Sequence, residues 1–119
     1  KIVIDRQGGH LVCDVGNRRI AVYDEYGNYS RALEDPEFRE PAGVAVDDDD
    51  RVWVIDRISA RIFVFAPTGN RLLVVEPTLP GLRLPISSPA DIAVSGDRIF
   101  ISDSGNDRVL VCRPLTIKE

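Results

Sequence analysis

Arg51-Val52-Trp53-Val54-Ile55-Asp56, four further residues, then Arg61-Ile62-Phe63-Val64-Phe65 is the stretch that decides the fold. Two apolar runs rich in β-branched and aromatic residues, each too short for a helix and separated by a polar turn, read as paired antiparallel strands. The pattern occurs twice more, as His10-Leu11-Val12-Cys13-Asp14 with Arg19-Ile20-Ala21-Val22-Tyr23, and as Arg98-Ile99-Phe100-Ile101-Ser102-Asp103 with Arg108-Val109-Leu110-Val111-Cys112. The Asp anchors at 14, 56 and 103 are spaced by 42 and 47 residues, and the Arg anchors at 19, 61 and 108 keep the same spacings. Upstream, Pro41-Ala42-Gly43-Val44-Ala45-Val46 matches Pro89-Ala90-Asp91-Ile92-Ala93-Val94, and Ile2-Val3-Ile4-Asp5 stands where Val44-Ala45-Val46-Asp47 stands.

Within the second copy the strands read 44–47, 52–56, 61–66 and 71–76, joined by Asp48-Asp49-Asp50, by Arg57-Ile58-Ser59-Ala60 and by Pro67-Thr68-Gly69-Asn70. Pro presets φ, and Gly or Asn tolerates φ > 0, as tight hairpins require. Four antiparallel strands in about 40 residues is the unit of a β-propeller blade. The expected fold is therefore all-β: three four-stranded antiparallel blades, at about 1–40, 41–88 and 89–119, forming half or a fragment of a six-bladed ring. The outer strand of the third copy falls at Leu115–Glu119. No stretch carries a helical apolar period, and 79–86 is broken by Pro80, Gly81 and Pro85. Runs such as Val52–Ile55 are apolar without alternation because a blade inside a ring is covered on both faces, so Trp53, Phe63 and Phe65 are read as packing between blades.

The 119 residues are 44% hydrophobic and 29% charged, the composition of one ordinary globular domain. No apolar run approaches the roughly 20 residues of a spanning helix, and Lys1–Asp5 lacks the length and flanks of a signal peptide. A net charge of −4 and pI ≈ 5.0 disfavour a surface built to neutralise phosphates, so nucleic acid is a disfavoured partner.

The pattern Pro-x-Gly-Val-Ala-Val-Asp, a turn, Val-Trp-Val-Ile-Asp, a short loop and Arg-Ile-x-Val-Phe-x-x-x-Gly-Asn resembles an NHL-type repeat of six-bladed β-propellers. Asp14-Val15-Gly16-Asn17-Arg18-Arg19-Ile20 and Asp103-Ser104-Gly105-Asn106-Asp107-Arg108-Val109 are similar to its Asp-x-x-Asn-x-Arg-[Ile/Val] core, from which the second copy departs with Ser59. The resemblance implies a fold that hosts binding modules and lyases alike. Three blades do not close a ring, so the chain is expected to be a piece of a longer propeller or to complete one by association with a second copy.

The repeated Asp14, Asp56 and Asp103, each five residues before Arg19, Arg61 and Arg108, are read as structural: a carboxylate there accepts loop N–H groups and meets the Arg. A catalytic group is unique, whereas these recur. Asp47-Asp48-Asp49-Asp50 invites a calcium reading but lacks the glycine and spaced Glu of a calcium loop, so it is taken as a solvated turn and no cofactor is assigned. His10 is the only histidine, and the several-histidine zinc site that the resemblance to amidating lyases would imply does not follow from one. Cys13 and Cys112 lack metal-ligand spacing and are taken as free thiols. No catalytic or metal-binding residue is assigned.

Function is expected on the connections between blades, of which 29–40 and 77–88 are long. The residues expected on that face are Arg18, Arg31, Phe38, Arg39, Arg57 and Arg83, with an acidic opposite end carrying Asp24, Glu25 and 47–50. Arg beside an aromatic ring suits a protein or peptide partner. The plainer alternative is that these Arg pair with Glu34, Asp35, Glu37 and Glu40. The favoured function is a non-enzymatic protein-binding or scaffold module. One alternative is part of a lyase or hydrolase with an axial metal; the other is an RNA-binding module, which the resemblance to tripartite-motif NHL proteins allows.

Overall fold

A computed structural model describes residues 1–113 and is all-β. The first sheet contains β1 (Ile2–Ile4), β2 (His10–Asp14), β3 (Arg19–Tyr23) and β4 (Tyr29–Glu34). The second contains β5 (Pro41–Val46), β6 (Val52–Asp56), β7 (Ile62–Phe65) and β8 (Arg71–Val75), and the third β9 (Asp91–Ser95), β10 (Arg98–Asp103) and β11 (Arg108–Cys112). Each sheet is an antiparallel meander in chain order. The outer strand expected at Leu115–Glu119 lies outside the described residues. Of the two segments expected to be long loops, 77–88 is free of strand, but 29–34 is β4. Leu33 is the one side chain of this strand that is buried, at 3%, so one apolar side chain fixes which face of this strand turns inward.

Two apolar layers separate three sheets. Leu11, Ile20, Val22 and Leu33 of the first sheet meet Val44, Val52, Val54, Phe63 and Phe65 of the second. Trp53, Ile55, Ile62 and Val64 on the opposite face of the second sheet meet Ile92, Ile99 and Ile101 of the third. Every residue of β6 and β7 is therefore buried, whereas β11 alternates half-buried and exposed. Covering on two sides needs an apolar residue at every position; covering on one side needs it at every second position.

The turns at one end of the sheets share a device. Asp5 Oδ1 accepts the N–H groups of Gln7 and Gly9, Asp24 Oδ1 those of Tyr26 and Asn28, and Asp47 Oδ1 those of Asp49 and Arg51, all at 2.8–2.9 Å. Gly8 and Gly27 hold the left-handed position that follows, and Asp50 holds it in the acidic turn with φ 57°. Asp47 is not solvated as the sequence suggested: it is buried at 8%, with Oδ2 accepting from Arg51 Nε and Trp53 Nε1 at 2.9 Å each. Only Asp48 and Asp49 of this run are exposed. Its burial alone would raise the Asp47 pKa, but the Trp53 and Arg51 donors outweigh that and hold it below the ordinary carboxylate range.

Candidate protein-binding face

At the other end, the turns after β2, β6 and β10 lie against the connections between sheets, and the repeated aspartates join the two. Asp56 has no solvent exposure; its Oδ2 accepts the N–H groups of Arg39 and Glu40 from the incoming connection, and its Oδ1 those of Ile58 and Ser59 from its own turn. Asp103, also fully buried, accepts Ser87 N–H at 2.7 Å, Asn106 Nδ2 at 3.0 Å and Arg108 Nε at 2.7 Å. Burial pushes its pKa up, but these donors win and lower it. Asp14 is less enclosed and meets side-chain donors, Asn17 Nδ2 and Arg19 Nε; the Asn17 bonds first, then Arg19, lower its pKa.

The expected Asp–Arg pair thus forms in the first and third copies and not in the second. With Ser59 too short to reach the carboxylate as Asn17 and Asn106 do, backbone N–H groups fill both Asp56 oxygens. Arg61 turns instead to Glu76 at 3.1 Å and Glu37 at 3.8 Å. The residue preceding each Arg keeps one backbone shape throughout: Arg18, Ala60 and Asp107 have φ 52°, 58° and 51°.

The expected binding residues divide. Phe38 is not available: it is 2% exposed and packs edge-on to Phe63 and Phe65, with ring centroids 5.0 and 5.8 Å away. It anchors the connection between the first two sheets, as buried Ile86 does in the next connection. Arg31 belongs to the opposite end, because β4 carries it to the β7–β8 turn, where it donates to Pro67 O at 2.6 Å. Arg57 is on the expected end, 3.6 Å from Glu40, so pairing with loop acids holds there. Asp35 and Glu37 are bound by Arg71 from β8, at 3.1 and 3.2 Å. Arg18, Arg39 and Arg83 remain exposed and form no ion pair among the described residues. Near them the structure adds exposed apolar side chains that the sequence reasoning passed over: Ile58 at 61%, Leu84 at 55% and Val15 at 36%. The available signal was an isoleucine inside a turn whose other copies carry glycine, Gly16 and Gly105.

The inner strands β1, β5 and β9 lie side by side and line a groove with Val3, Ile4, Val44, Ala45, Val46, Ala93 and Val94, with Lys1 Nζ bridging to Asp91 Oδ2 at 2.8 Å. Aliphatic side chains there ligate no metal, and among the described residues no three His, Cys, Asp or Glu converge. The two thiols face separate cores, Cys13 the first and Cys112 the second; burial pushes Cys13 up to about 11 and raises Cys112.

This architecture is that of successive β-propeller blades. Residues 38–65, from the buried Phe38 anchor through β7, match the NHL repeat family. No curated protein matches it in sequence. Similar solved structures include a catalytically inactive virginiamycin B lyase from Staphylococcus aureus with quinupristin, at TM-score 0.74 and 16% identity over 94% of this chain and 39% of that one. A nidogen/laminin complex gives TM-score 0.77 and 19% identity over 94% and 41%, and a hydrazine synthase from Kuenenia stuttgartiensis 0.64 and 12% over 92% and 33%. These likenesses are likenesses of fold. The chain spans about two fifths of the lyase and nidogen/laminin chains it matches.

Proposed function

We propose that this chain is a protein- or peptide-binding propeller segment whose contact surface is the end formed by the connections and the β2–β3, β6–β7 and β10–β11 turns. The observation that carries this reading is the trio Arg18, Arg39 and Arg83, without ion-pair partners among the described residues, on the same end as exposed Ile58 and Leu84. Guanidinium groups beside apolar side chains suit a segment that alternates carboxylates with large apolar residues. The nidogen/laminin neighbour is a propeller fold found in a protein complex, which agrees with this use of the architecture. The metal-lyase alternative has the lyase neighbour behind it but no ligand set on the inner strands described here.

The test is binding of labelled synthetic peptides that alternate Glu with Leu or Phe, against the same peptides with Lys for Glu. The acidic set binds, and the Arg39→Glu, Arg83→Glu double variant loses at least about tenfold in affinity with an unchanged melting temperature. Equal binding of both sets, or capture that survives the charge reversal, rejects this face.

A further inference from the structure

The turn after β6 departs from the repeat at one position. Two residues past the anchoring aspartate the first and third copies carry Gly16 and Gly105, whereas the second carries Ile58, 61% exposed. In the third copy a side chain does not fit there: a Cβ on Gly105 would stand 2.5 Å from Ser87 O, the carbonyl that accepts Gly105 N–H at 2.8 Å. Ser87 is two residues before Pro89 as Arg39 is two before Pro41, so in the third copy the connection itself occupies the place of the side chain. The second copy is wired differently. Ile58 N–H donates to Asp56 Oδ1 at 3.0 Å, the connection is held by Asp56 Oδ2 through the N–H groups of Arg39 and Glu40 at 2.8 Å, and Arg57 N–H donates to Glu40 O at 2.9 Å.

One fully buried carboxylate therefore holds Arg39 from the connection by one oxygen and Ile58 from the turn by the other, and both exposed side chains rise from a common fixed base. Glu40 faces Arg57 at 3.6 Å, which leaves Arg39 the cation of this cluster without an ion-pair partner among the described residues. Residues whose backbone is already ordered lose less conformational freedom when a partner arrives. Resting on the reading of this end as a protein-binding face, we propose that Arg39 and Ile58 are its specificity-determining pair, with Asp56 the positioning residue behind both. The partner segment sets a carboxylate on Arg39 and, from a neighbouring residue, a large apolar side chain on Ile58. Arg83 belongs to the next connection, which Asp103 holds through Ser87, so its attraction for acidic groups is independent of the pair. The third turn, with glycine at the equivalent position, carries no such anchor.

Fluorescence anisotropy with a labelled peptide of adjacent Glu-Leu pairs, against one of the same composition whose Glu and Leu are parted by Gly-Ser spacers, tests this. The adjacent-pair peptide binds at least about tenfold more tightly. Ile58→Ala and Arg39→Gln each weaken it about tenfold at an unchanged melting temperature, since both side chains are exposed. The two together lose clearly less than the product, as for groups that act as one. Asp56→Asn weakens binding as well, and in that background Ile58→Ala costs little more while Arg83→Gln costs its full wild-type factor, a pattern that general loss of structure does not produce. Absence of binding by every peptide overturns the face and this inference with it. Binding that Arg39→Gln and Arg83→Gln weaken but Ile58→Ala does not, or equal affinity for the two peptides, overturns the pair alone and leaves the face standing.

Discussion

Replacing Asp56 with Ala removes the acceptor for four backbone N–H groups at 2.8–3.0 Å, from Arg39, Glu40, Ile58 and Ser59, at a site with no solvent exposure. A hydrogen bond to a charged group contributes roughly 1.5–3 kcal/mol. The plain sum for four overshoots, because Arg39 and Ile58 are exposed and water reaches their amides once the carboxylate is gone. Counting the bonds from half-buried Glu40 and Ser59 gives a loss of about 3–6 kcal/mol. At roughly 4 °C per kcal/mol for a chain of this size, the melting temperature falls by about 12–24 °C. Urea unfolding followed by Trp53, itself 2% exposed, measures the loss. Amide exchange locates it: the N–H groups of Glu40 and Ser59 exchange faster, while those of Asp49 and Arg51, held by Asp47 at the opposite end, do not. Asp56→Asn falls between, since its amide nitrogen opposes two of the donors. Asp14→Ala, at a carboxylate whose side chain is 28% exposed and which holds only Asn17 and Arg19, costs clearly less. A loss below about 1 kcal/mol for Asp56→Ala, or equal losses at the two positions, refutes the clasp.

Gly43→Ala places a Cβ 2.8 Å from Asp91 Cα and 3.0 Å from Ile55 Cγ2, so the inner strands of the second and third sheets must separate. A loss of about 2 kcal/mol in urea is expected, against almost none for Gly16→Ala, which meets open space. The lowered pKa values of Asp47 and Asp103 stabilise the fold above the unfolded carboxyl pKa near ~3.9, and that stabilisation is lost as pH falls through the lower folded values. Urea midpoints measured from pH 6 to pH 2 therefore fall in the acid range, and Asp103→Asn flattens that fall; parallel curves for wild type and variant contradict it. Because burial pushes the Cys13 pKa up to about 11, its labelling by a disulfide reagent at pH 8 is slow until the chain is unfolded, and rapid labelling of the native protein contradicts its packing in the first core.

The repeat made the architecture legible because blade formation depends on positions that recur: the apolar alternation, the Asp and Arg anchors and the turn residues. What escaped the sequence depended on contacts between copies. Phe38 was read as a loop aromatic because nothing in 35–40 marks it as the plug between sheets. Only alignment with Ile86, three residues before Pro89 as Phe38 is before Pro41, exposes the shared position. Arg31 was misplaced because β4 has a single strongly buried apolar residue, Leu33, too little for a period of two to stand out. Asp56–Arg61 failed as a pair for a reason already visible, the Ser59 substitution, though which donors would replace it required the fold.

The same division locates the chemistry that distinguishes one blade from another. At the turns after β2, β6 and β10 the backbone is held constant by a buried or half-buried Asp and a left-handed residue, while the exposed side chains change from Val15, Gly16 and Arg18 to Arg57 and Ile58, and then to Ser104, Gly105 and Asp107. A scaffold that fixes the loop and frees its side chains permits recognition to diverge without refolding.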